Sequence, residues 1–109
     1  MQSSQGDVEQ VLSKLRQAID TENFELWPRR KNMESFARLG IMPKDAIDEI
    51  YGLTYKEYVA GPEIDRDKPE SEKLWIFKMM IMGHMFYIKF KIKNINSQLL
   101  VISCHIDYI

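Results

Sequence analysis

One cysteine, Cys104, is all that the 109-residue chain contains, so an intramolecular disulfide is excluded. A lone thiol among apolar neighbours reads as a small core residue in a reducing compartment. Histidine is nearly as scarce: His84 and His105 are scattered with no zinc-ligand spacing, and the expectation is neither a metal nor another cofactor. Long apolar runs are missing too, since no stretch approaches the roughly 20 residues that span a bilayer, and no basic-then-apolar leader opens the chain. The expected location is therefore the cytoplasm, with no membrane partner. Charge of one sign is absent, because 15 basic side chains meet 16 acidic ones for a formal charge of -1. A balanced chain has no overall field to draw it onto a polyanion, so any anion site must be a local patch. Internal repeats and the GxGxxG, P-loop, GxSxG and HExxH motifs are likewise missing.

What is present suits one α+β domain over residues 1–109, since 45% hydrophobic residues supply one core and no second. Residues 1–6 are polar and expected to carry no structure. From Asp7, read as a cap, Val8, Val11, Leu12, Leu15 and Ile19 recur at spacings of three and four and define a first helix. The alternation at Phe24 to Trp27, ended by Pro28, reads as a short edge strand. Asn32 is the expected N-cap of a second helix closed by Gly40, and Pro43 opens a third closed by Gly52. Thr54 and Glu57 form a capping box for a further turn or two ending at Gly61-Pro62. Residues 61–73 then read as a charged, mobile loop between the halves.

Beyond the loop the period becomes strand-like. Strands are expected over residues 74–80, 85–93 and 99–106, with a turn at Gly83-His84 and a three-residue turn at residues 95–97, giving an antiparallel sheet of three or more strands under the helices. In the second of these strands Phe86, Ile88, Phe90 and Ile92 face the core while Tyr87, Lys89, Lys91 and Lys93 face water. In the third, Leu100, Ile102, Cys104 and Ile106 are expected inward and Ser103 and His105 outward, which sets Tyr87 opposite His105 and Lys89 opposite Ser103.

A phenol, an imidazole and ammonium groups on one face can cleave a phosphodiester without metal. A base removes the proton of an RNA 2′-hydroxyl, cations hold the phosphate, and an acid protonates the departing 5′ oxygen. His105 and Tyr87 suit the proton transfers, Lys89 and Lys91 the phosphate, with Lys93 and the cluster Arg29, Arg30, Lys31 as further RNA contacts. The same lysines also keep an open sheet face solvated, so a non-catalytic binding module that docks a protein partner explains them as well. Four methionines, Met79, Met80, Met82 and Met85, surround one β-turn and would cover an edge or offer an adaptable partner surface.

In order along the chain stand Arg30-Lys31-Asn32-Met33, Leu39-Gly40-Ile41, Leu53-Thr54, Tyr58, Gly61-Pro62-Glu63, Trp75-Ile76-Phe77, Tyr87-Ile88-Lys89 and Ile102-Ser103-Cys104-His105. This ordered combination resembles the MqsR-type toxins of bacterial toxin-antitoxin systems. The resemblance implies a RelE-like ribonuclease fold, metal-independent cutting of single-stranded messenger RNA, and inhibition by a protein antitoxin. It implies catalytic roles for Tyr87 and Lys89 at the Y-x-K strand and for His105 at the S-x-H ending. Cys104 stands where Phe is usual, and Ala60 and Ile76 stand near the positions of the catalytic Lys and Gln of the best-known branch.

Overall fold

The computed structural model describes residues 3–108. Helix α1 (Gln5–Asp20) begins two residues before the expected Asp7 cap, because the Ser4 side chain accepts from the Asp7 N–H and caps the helix itself. Ser3 is also placed: its Oγ donates to the Gly61 carbonyl at 2.8 Å. Met1 and Gln2 lie outside the described residues. Strand β1 (Phe24–Leu26) leads into α2 (Arg30–Leu39) and α3 (Pro43–Ile50). Gly40 closes α2 with φ 68°, in the left-handed region that the sequence anticipates at that position.

The capping box at Thr54 forms, with Glu57 accepting the Thr54 N–H at 2.7 Å, but it supports only a single 3₁₀ turn (Tyr55–Glu57). The chain then enters a strand that sequence reasoning assigned partly to helix and partly to loop, β2 (Tyr58–Glu63). Gly61 lies within it because a Cβ there would stand 2.7 Å from the Leu74 carbonyl oxygen, and Pro62 has no N–H to give. Accordingly β2 is an irregular edge, with register shifts on both sides of Ala60.

Strands β3 (Leu74–Ile81), β4 (His84–Ile92) and β5 (Leu99–Ile106) follow. The β3–β4 turn is Met82-Gly83 rather than Gly83-His84, and both residues have positive φ, 49° and 81°, which suits the twist of a two-residue hairpin. The five strands lie in the order β1-β5-β4-β3-β2, with β1 parallel to β5 and the other neighbours antiparallel. The sheet is thus mixed, where only antiparallel pairing was expected.

One face of this sheet carries the core. Phe77 and Ile81 of β3, Phe86, Ile88 and Phe90 of β4, and Leu99, Val101, Cys104 and Ile106 of β5 are buried with the apolar stripe of α1, Phe36 of α2 and Ile47 and Ile50 of α3. The expected inward set in β5 is half corrected. Cys104 and Ile106 face the core, but Leu99 and Val101 replace Leu100 and Ile102 there. The reason is a bulge: Lys89 pairs with Ser103 and Phe90 with Val101, so Ile102 is an extra residue and the alternation reverses across it.

Beyond Val101 the outer edge of β5 has no strand partner among the described residues. Helix α2 lies along it, and side chains do the work of a strand. Asn32 Nδ2 donates to the carbonyls of Trp27 at 2.8 Å and Ile102 at 3.1 Å, its Oδ1 accepts the Cys104 N–H at 2.9 Å, and Ser35 Oγ accepts the Ile106 N–H at 2.9 Å. Asn32 is therefore an interior clamp, and Arg29 takes the N-cap position that was expected of it. Edge backbone groups that would otherwise be buried without partners are satisfied in this way.

Candidate functional site

The face opposite the core is built by the alternation of β4 and fixed by its neighbours. Tyr87 is paired with His105 and Lys89 with Ser103, as the sequence predicts. The Tyr87 and His105 rings are 5.5 Å apart between centroids and tilted by 31°. His105 Nδ1 lies 3.0 Å from its neighbour's carbonyl oxygen, Ile106 O. That oxygen can only accept, so in the neutral ring the proton belongs on Nδ1 and Nε2 presents the lone pair. Burial pushes the Tyr87 phenol above its ordinary 10.0, the carboxylates of Glu63 and Asp107 push the same way, and the Lys78 ammonium opposes them. Tyr87 is consequently a phenol, able to donate a proton, at any physiological pH.

Lys78 sits opposite Tyr87 on β3 and makes an ion pair of 2.8 Å with Asp107. One row further along, Ala60, Ile76, Lys89 and Ser103 stand side by side on four strands. Ser103 is only 3% exposed, and its Oγ accepts from Arg29 Nη1 at 3.1 Å. The guanidinium at the start of α2 therefore reaches over the outer edge of β5 to the same row as Lys89. Tyr87, His105, Lys89 and Arg29, four groups able to move a proton or hold an anion, thus belong to two adjacent rows of this face.

The structure separates the remaining expected residues from this group. Lys91 is 4% exposed, and its ammonium donates to Asp65 Oδ2 at 3.0 Å and to Ser71 Oγ at 3.1 Å. Both partners belong to the loop after β2, which crosses the open face at this point. The hydrogen bond from Lys91, with the N–H groups of Asp67 and Lys68 and against the effect of burial, holds the Asp65 carboxyl below its ordinary range. Lys91 is thus committed within the protein and is not offered to a phosphate. Lys93 falls after the end of β4, where its N–H donates to the Gln98 carbonyl, and it borders a cavity of about 890 Å3 beside α1. Arg30 is exposed and faces Glu34 at 3.5 Å along the helix. Lys31 is exposed and borders a second cavity, of about 770 Å3, that reaches His105.

No known protein family matches this chain, and neither does any curated protein. Its chemistry has to be read from its own geometry. Among the described residues no helix is long and apolar enough to cross a membrane, and no group of three or more His, Cys, Asp or Glu side chains could hold a metal ion. Cys104 is fully buried, and burial pushes its thiol up to about 12, so it is a packing residue without nucleophilic character. Sequence reasoning missed Lys78, Arg38, Asp107 and Tyr108 near this face. Local pattern carries no signal for them, because each reaches the site from a different strand, a helix or the segment after β5.

Proposed function

We propose that the Tyr87–His105 face is the active site of a metal-independent endoribonuclease, a toxin of the MqsR type with a RelE-like fold, which acts on single-stranded messenger RNA in the cytoplasm and is held in check by a protein antitoxin. The observation that carries this reading is the cross-strand contact of a phenol with an imidazole beside two cations, Lys89 and Arg29. His105 Nε2 accepts the proton of the 2′-hydroxyl, and the 2′ oxygen bonds to phosphorus. The bond from phosphorus to the 5′ oxygen breaks, and that oxygen takes the Tyr87 proton. The imidazolium then returns a proton to the phenolate, leaving a 2′,3′-cyclic phosphate and a free 5′-hydroxyl. Lys89 and Arg29 meet the charge on the phosphate as the oxygens become more negative. Arg29 fills the role that Lys91, bound to Asp65, does not.

Cleavage of a long single-stranded RNA in EDTA tests the reading. Wild-type protein cuts, and the Tyr87→Phe, His105→Ala double variant loses at least about a hundredfold in rate, the usual lower bound for positioned proton transfer. Equal cutting by both proteins would remove the site from this face. A second reading is favoured by the apolar pair Ala60 and Ile76 in the Lys89 row and by the exposed Met80, Met82 and Met85 at the hairpin. On that reading the fold is a non-catalytic module that docks a protein partner, and RNA left intact by the wild type is its signature.

A further inference from the structure

We propose that the groove between α2 and the segment after β5 holds a nucleobase of single-stranded RNA, stacked on Tyr108 beside the cut phosphate. This subsite rests on the ribonuclease reading for its place next to the reaction, while its binding chemistry can be measured separately. The groove has a volume of about 770 Å3 and is bordered by Lys31, Glu34, Arg38, His105, Asp107 and Tyr108. That volume lies in the range of roughly 300–1,000 Å3 typical of small-ligand sites.

His105 belongs to both the groove and the proposed catalytic pair, so a strand whose phosphate lies at Tyr87 and His105 has its adjoining nucleotide at the groove mouth. Tyr108 is 68% exposed, so its ring is open to a ligand. The ring is nonetheless oriented. Arg38 donates from Nη1 to the Tyr108 hydroxyl, and its guanidinium carbon lies 5.9 Å from the ring centroid. A phenol ring held by a guanidinium is a preformed stacking platform, since every base has a π-face to offer. The charges agree with an anionic chain. Glu34 faces Arg30 at 3.5 Å and Asp107 faces Lys78 at 2.8 Å, which leaves Lys31 and Arg38 to meet phosphate. The groove thus supplies both halves of single-strand recognition, stacking and a local positive patch, in a chain whose formal charge is -1.

The test uses a short single-stranded RNA that is 2′-O-methylated throughout, so that it binds without being cut, and that carries one fluorescent 2-aminopurine. Tyr108→Ala weakens binding by about tenfold or more and restores the 2-aminopurine emission, while Tyr108→Phe stays within about twofold of wild type. Because Tyr108 is outside the core, thermal unfolding of both variants matches wild type and excludes misfolding as the cause. Wild-type affinity retained by Tyr108→Ala, or no binding by the wild type, would overturn the subsite. Cutting of unmodified RNA keeps the two ideas apart. His105-dependent cutting with unchanged binding by Tyr108→Ala leaves the ribonuclease reading standing and removes the subsite. Tyr108-dependent binding without His105-dependent cutting keeps the subsite and removes the ribonuclease.

Discussion

Replacing Asn32 by Ala should cost far more than the loss of a helix cap, because Asn32 is fully buried and holds two chain segments to β5. Its bond to the Trp27 carbonyl is only partly buried, and water can replace it there. The other two bonds are buried, so the substitution strands the Ile102 carbonyl and the Cys104 N–H. At about 1–3 kcal/mol for each buried group left without a partner, the expected loss is about 4 kcal/mol. That is a large share of the roughly 5–15 kcal/mol by which native proteins are stable. Urea unfolding followed by the fluorescence of Trp27 and Trp75 would show the midpoint falling by about 2–3 M, taking a slope of about 1.5 kcal/mol/M. Ser35→Ala, which strands only the Ile106 N–H, should fall by about a third to a half as much. Asn32→Asp gives a second signature. Its carboxylate can still accept from Cys104 but repels the Trp27 and Ile102 carbonyls, so the protonated acid is preferred and the folded pKa is raised. The stability of this variant should therefore recover as the pH is lowered into the carboxylate range. A loss below about 1 kcal/mol for Asn32→Ala, the size of an ordinary helix cap, would refute the clamp.

The loop contact on the open face makes a pH prediction of opposite sign. Asp65 has a folded pKa below its ordinary 3.8, so it stabilises the fold above that value and ceases to do so as the pH falls through the depressed one. Asp65→Asn should therefore melt below wild type at pH 7, and the gap should close as the pH falls below the ordinary carboxylate range; a gap independent of pH would show that Lys91 does not gain from the carboxylate. For catalysis, the raised pKa of Tyr87 means that the acid form persists above pH 10.0. After subtraction of background hydrolysis, kcat should hold its value up to that pH, and a decline at lower pH that disappears in Tyr87→Phe would remove the phenol as proton donor.

How much of this was visible in the sequence depended on whether the determining contacts were local. The stripe of α1, Gly40 after α2, the Thr54 capping box and the alternation of β4 are set by neighbours a few residues away, and all are found in the structure. Asn32 misled because asparagine suits an N-cap and an interior clamp equally well, and only the position of β5, 70 residues on, decides between them. Lys91 misled similarly: its place in the alternation is correct, but a loop from an earlier part of the chain covers it. Strand β2 was hidden by Gly61-Pro62, a sequence that normally ends a ladder and here sits in an irregular edge.

The predicted opposition of Tyr87 and His105 is correct for a reason that local pattern does not contain. The β4–β5 connection is one residue longer than expected, with Lys93 donating to the Gln98 carbonyl around the four residues 94–97 instead of three. That change alone shifts every later pair by one and would turn His105 to the core face. The bulge at Ile102 adds one residue to β5 and restores the original parity before Ser103 is reached. The bulge also places the Ile102 carbonyl where Asn32 binds it, and Asn32 lies three residues after Arg29, whose guanidinium reaches Ser103. Turn length, bulge and clamp therefore act on one register. The candidate site exists only where all three agree, which is why a change at Asn32, which lies on α2 and binds β5 on either side of Ser103, is expected to disturb the face as well as the fold.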